Sequence, residues 1–96
     1  MKFGLFYQIQ VPKPWDEDSE SKRIWEALDQ IEYAEEMGYD SVWFSEHHFR
    51  PVWSHNSAPD LTLAAVSQRT SRIRLGVGVV LAPIHHPLHT AARMST

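Results

Sequence analysis

Ninety-six residues, 43% apolar and 22% charged with four glycines and six prolines, make at most one soluble globular domain, since domains typically run about 100–150 residues. Nine Lys+Arg against twelve Asp+Glu leave a net charge of -3, and the basic residues are too scattered to neutralise a phosphate backbone, which excludes nucleic acid as a partner. The lack of cysteine removes disulfides, thiolate metal sites and a Cys nucleophile.

The first apolar run, Phe3 to Ile9, is broken by Gly4 and Gln8 and precedes no small-residue cleavage site, so it is a poor signal peptide. No apolar stretch approaches the roughly 18–20 residues that cross a bilayer. The expected setting is therefore cytoplasmic, with no membrane partner. Lys2–Ile9 mixes aromatic and β-branched residues over a strand's length and is closed by Pro12, which predicts the first strand. Val11–Asp18 reads as an acidic, proline-broken loop. Ile24, Ala27, Leu28, Ile31, Ala34 and Met37 then recur at helical spacing from about Ser19, and Gly38 supplies the residue that ends the helix.

Asp40–Ser45 is too short for a helix and too continuously apolar for a half-exposed strand, so it is expected as a buried parallel strand. Arg50–Asn56 reads as a loop. Ser57-Ala58-Pro59-Asp60 matches a capping box, and places Leu61, Ala64 and Ala65 on one face of a helix running to about Thr70. Arg72–Leu81 is expected as the third strand, and Pro87 opens a further helix over Leu88–Thr96. This β-α-β-α-β-α order demands a parallel sheet with right-handed crossovers. Either a doubly wound sheet or the start of a (β/α)8 barrel satisfies it. A complete barrel takes about 250 residues, so on the second reading three of eight units are present.

Chemistry is expected at the carboxyl ends of the strands, where parallel α/β folds bind ligands. Glu46-His47-His48-Phe49 directly follows the second strand, and histidine beside a carboxylate is suited to accepting or donating a proton near neutral pH. The six histidines fall in two runs, 47–55 and 85–89. A metal held by His85, His86 or His89 with the 46–48 run is conceivable, yet the spacings that specify such a site are missing, and no metal is expected. Gly76-Val77-Gly78 lacks the third glycine of a dinucleotide fingerprint, Leu81 standing in its place. Packing is the expected reason for Gly76, while for Gly78 a close approach by a ligand competes with it. Trp25 and Trp43 are expected in the core, Trp15 and Trp53 in loops above the strand ends, and Arg72 and Arg74 on a solvated face at the opposite end.

Lys2-Phe3-Gly4, Gly38-Tyr39-Asp40-Ser41-Val42-Trp43-Phe44-Ser45-Glu46-His47-His48-Phe49, Leu75-Gly76-Val77-Gly78 and His86-Pro87-Leu88 together resemble the bacterial luciferase-like, flavin-dependent monooxygenases over essentially the whole chain. The resemblance implies a TIM barrel, here its truncated N-terminal β-α-β-α-β-α portion. It implies reduced FMN, usually delivered by a separate flavin reductase, reacting with oxygen to oxidise an aldehyde, sulfonate or other small organic substrate. Some relatives use the deazaflavin F420 instead. His47 matches the family's catalytic base, Glu46 the carboxylate beside it at the cofactor, and Gly78-Val79 the place of a non-prolyl cis peptide beneath the flavin ring. Family members are some three to four times longer and form homo- or hetero-oligomers in the full-length protein. The activity is accordingly expected of a longer parent chain. The isolated 96 residues, with an open sheet edge, are not expected to be a stable flavin-binding monomer. A non-catalytic flavoprotein or partner subunit of the same fold is the alternative, and a metal-dependent barrel hydrolase a more distant one.

Overall fold

Three short apolar segments, each joined to the next through a helix, have the crossovers that parallel pairing needs. The computed structural model, which describes residues 1–50 and 52–96, shows this arrangement. Its elements are β1 (Gly4–Tyr7), α1 (Ser19–Glu36), β2 (Ser41–Phe44), α2 (Pro59–Ser67), β3 (Arg74–Val77), a 3-10 turn (Ala82–Ile84) and α3 (Pro87–Met94). The sheet order is β1-β2-β3, all parallel, with Phe6, Trp43 and Gly76 side by side in one row and Tyr7, Phe44 and Val77 in the next. Alternate rows face opposite sides of the sheet. One face, carrying Val42 and Phe44, packs on Ala27, Leu28 and Ile31 of α1 and Val66 of α2, with Ile9 and Ile73 closing the core. Burying each such aliphatic side chain contributes about 1.5–3 kcal/mol. None of the described helices is long and apolar enough to cross a membrane.

The expected elements are present, but the strands are shorter than the sequence predicts. Ile9 lies at φ 52° and takes the chain out of β1. The start of the expected third strand is diverted: the Ser71, Arg72 and Ile73 N–H groups all donate to the Glu35 carboxylate. These bonds hold the Glu35 carboxyl below its usual pKa. Arg72 is not merely solvated, since its guanidinium caps α1 by donating to the Glu35 and Tyr39 carbonyls. Gly38 ends α1 as expected, at φ +90°, with Gly38 and Tyr39 N–H groups returning to Glu35 and Ala34 carbonyls. The loop expected over Arg50–Asn56 includes Pro51, which lies outside the described residues; Arg50 and Ser54 form an antiparallel bridge there.

The capping box is not formed. The helix starts at Pro59, with Ala58 at the N-cap and no side-chain cap, so Ser57 and Asp60 each fall one position short of the box, and Asp60 is engaged by the Arg93 guanidinium of α3. Its inward face is Pro59 and Val66, and Leu61, expected inside, is 68% exposed. The two tryptophans expected in the core are corrected as well: Trp25 is 62% and Trp43 45% exposed. Trp25 lies off the buried stripe of α1. Trp43 belongs to the row of β2 that faces away from the helices, so this strand is buried on one face only.

Packing does account for Gly76, as expected. A Cβ there would fall within 2.4–2.8 Å of Trp43 ring carbons, so the indole lies across the glycine. Gly76→Ala is expected to destabilise the fold by about 1–3 kcal/mol through overpacking, seen as a lowered thermal midpoint. In a Trp43→Ala background the same substitution should cost almost nothing, and an equal cost in both backgrounds would show that the indole is not the obstacle.

Candidate active site

Beyond Phe44 the backbone remains tied to its neighbours. Ser45 N–H donates to the Tyr7 carbonyl, Gly78 N–H to the Phe44 carbonyl and His47 N–H to the Asn56 carbonyl. These bonds bring the segment 45–48, the segment 78–85 and the loop before α2 together at the carboxyl end of the sheet. Glu46 is at their centre, its side chain 3% exposed. Its Oε2 accepts from Leu81 N–H at 2.9 Å. Its Oε1 meets His48 Nε2 at 2.8 Å and His85 Nε2 at 2.5 Å. One buried carboxylate thus joins β2's exit to β3's exit.

Burial alone would push the Glu46 carboxyl up. The hydrogen bonds from His48, Leu81 N–H and His85 more than offset it and bring its pKa down to about 2. The folded state therefore binds this proton less readily than the unfolded chain, whose carboxyl titrates near 4.3. The stabilisation is complete above that value and is lost as pH falls toward about 2. Denaturant midpoints of the full-length protein should decline through this window, and Glu46→Gln should remove that part of the decline. An unchanged acid limb in the variant would contradict the assignment.

The other expected residues take distinct places. His47 is exposed, and its ring makes no hydrogen bond among the described residues, whereas His48, side chain 23% exposed, belongs to the Glu46 cluster. The Gly78–Val79 peptide is cis. A Cβ on Gly78 would meet Phe6 at 3.4 Å and Trp43 at 3.7 Å, ordinary contacts, and its φ is not positive. Neither sterics within the chain nor backbone conformation demands glycine here, in contrast to Gly76. Phe6, Trp43 and Val79 form an apolar shelf beside it, 57%, 45% and 62% exposed. Trp15 and Trp53 are exposed loop residues as expected, and the Trp15 indole N–H donates to the Val11 carbonyl.

Three features were not legible in the sequence. His85 reads in the sequence only as a conceivable metal ligand, and its partnership with Glu46 depends on a contact 39 residues away. Asn56 is buried, accepts from Thr62 through Oδ1 and leaves its Nδ2 unpartnered among the described residues. Ser45 and Ser54 are buried beneath the site, with hydroxyls 3.4 Å apart. The ligand atoms of Glu46, His48 and His85 lie within 4.8 Å of one another, close enough to hold a metal ion. The hydrogen bonds already described satisfy the same atoms without one.

This geometry is set in a chain whose whole length, residues 1–96, matches the family described as luciferase-like monooxygenase. The chain belongs to that family. It is 43% identical over 93 residues to 4-hydroxyprotoasukamycin monooxygenase of Streptomyces nodosus subsp. asukaensis, covering 97% of this chain and 24% of the relative. It is 29% identical over 93 residues to the oxygenase component of the flavin-dependent trigonelline monooxygenase of Acinetobacter baylyi, covering 95% and 24%. Among solved structures, the oxygenating constituent of 3,6-diketocamphane monooxygenase from Pseudomonas putida, a type II Baeyer-Villiger monooxygenase in complex with FMN, superposes with a TM-score of 0.83. At 24% identity that likeness, over 97% of this chain and 25% of the other, concerns the fold. This luciferase-like chain spans about a quarter of the length of the curated relatives it matches.

Proposed function

We propose that these residues form the N-terminal β-α-β-α-β-α part of a (β/α)8 barrel, and that the full-length protein is a flavin-dependent monooxygenase. It would use reduced FMN, supplied by a flavin reductase, and oxygen to oxidise a small organic substrate such as an aldehyde or sulfonate. The observation that carries this reading is the apolar shelf of Phe6, Trp43 and Gly78-Val79 next to the carboxylate–imidazole cluster, in a chain of this family. The residues fit a flat aromatic cofactor: Gly78 has no packing need to lack a side chain, and a ring placed against it would cover the exposed apolar surface of Val79.

Reduced flavin, when bound, supplies the electrons with which oxygen is activated. In this reading Gly78 and Val79 hold the ring, Phe6 and Trp43 exclude water from its surroundings, and Glu46 supports the segment that carries Gly78-Val79 through Leu81 and His85. His47, with an uncommitted imidazole, serves as the base that accepts or returns a proton at a ring nitrogen. The test supplies the full-length protein with oxygen and either reduced FMN or reduced F420, together with aldehydes, sulfonates and cyclic ketones. Oxygenated product with FMN is expected. Product with F420 alone, or none with either cofactor across the panel, would overturn the reading.

A further inference from the structure

A carboxylate that stays ionised can only accept hydrogen bonds. Glu46 is such a group, and both imidazoles approach the same oxygen through Nε2, at 2.8 and 2.5 Å. Each Nε2 must therefore carry its hydrogen toward Oε1, which fixes the tautomer of both rings. In the neutral ring the lone pair then resides on Nδ1. Neither Nδ1 has a hydrogen-bond partner among the described residues. The two rings are three-quarters covered, 23% and 24% exposed, which restricts their motion.

We infer that Glu46 is a positioning residue that locks His48 and His85 in the Nε2–H tautomer, and that His85 thereby joins His48 in presenting a proton-accepting Nδ1 at the site. The ligand suited to this pair is a small molecule offering an N–H or O–H donor. The inference rests on the proposed function for its catalytic consequence, though not for the tautomers. His85 arrives on the segment that also carries Gly78-Val79, and the Leu81 N–H bond to Oε2 fixes that segment from the opposite side of the carboxylate. The charged and titratable groups that share a small cavity with Glu46 and His85 are Asp60 of α2 and Arg93 of α3, and these two are paired with each other.

Glutamine at position 46 has one carbonyl oxygen for three donors, Leu81 N–H and two imidazoles, and its own amide N–H2 needs an acceptor. Leu81 N–H can only donate, so the carbonyl turns to it and the N–H2 turns to the imidazoles, and a ring that accepts from that N–H2 through Nε2 carries its hydrogen on Nδ1. Nitrogen NMR of histidine-labelled full-length protein without cofactor should show Nε2–H with a bare Nδ1 in both rings of the wild type, and Nδ1–H with a bare Nε2 in at least one of them in Glu46→Gln; wild-type rings protonated on both nitrogens overturn the proposal. Wild-type rings with a bare Nε2, as coordination of a metal would require, overturn the tautomer lock. So does a Glu46→Gln spectrum identical to the wild type.

The catalytic part is tested with His85→Gln, whose amide N–H2 occupies the place of Nε2 and preserves the bond to Glu46 while deleting Nδ1. With reduced FMN and oxygen, turnover should fall about tenfold or more, its pH profile should change, and FMN affinity should remain within about threefold. Wild-type turnover and pH profile in folded His85→Gln would overturn the role of His85. If the wild type itself shows no flavin-dependent turnover, the proposed function fails together with this catalytic role, while the tautomer result is read independently.

Discussion

His47→Ala in the full-length protein is expected to lower kcat at least about a hundredfold, the lower end of the range that a positioned general base contributes. Flavin affinity and thermal midpoint should change little. The structure supplies the reason for the second half of this expectation: His47 is exposed, its ring is uncommitted among the described residues, and the bond that it contributes, to the Asn56 carbonyl, comes from its backbone N–H. Alanine preserves that bond. His48→Ala should reverse the pattern, with a smaller loss of turnover and a larger loss of stability, because it withdraws a donor from the buried Glu46 carboxylate. Steady-state kinetics with reduced flavin and oxygen, with a pH profile for each variant, separate the two. Near-normal turnover of His47→Ala with an unchanged pH dependence would return His47 to the ordinary surface.

The second large effect belongs to Gly78. A Cβ there has room between Phe6 and Trp43, so a longer side chain grows outward over the shelf instead of into the core. Gly78→Leu should leave a folded protein and weaken FMN binding at least tenfold, about 1.4 kcal/mol. Fluorescence titration of flavin against wild type and variant, with circular dichroism to establish folding, reads the effect. A folded variant with wild-type affinity would place the flavin elsewhere. Gly76→Leu provides the contrast, since its side chain would strike the Trp43 indole and the damage should appear in folding before it appears in binding.

The order of elements, the parallel pairing and the position of the Glu46-His47-His48 run could be read from the sequence, because each follows from local periodicity and from the rule that parallel strands need crossovers. The buried stripe of α1, Ala27, Leu28, Ile31 and Ala34, is a direct example. The sequence misleads where a residue's fate is decided by a distant partner. Asp60 fits a capping box but is held by Arg93; Arg72 and Ile73 fit the start of a strand but are held by Glu35. The apolar neighbours of Trp43 suggest the core, although strand alternation sends it to the face opposite Val42 and Phe44. Within the site, sequence adjacency suggested Glu46 with His47, whereas alternation along the chain pairs Glu46 with His48, and the fold adds His85 from beyond β3.

The most direct measurement is a crystal structure of the full-length protein with bound FMN. The isoalloxazine ring should lie against Gly78-Val79, with the His47 imidazole within about 3.2 Å of a ring nitrogen or of a water joined to it. A ring bound away from this segment, with the Phe6–Trp43 shelf covered by other parts of the protein, would contradict the placement of the flavin site.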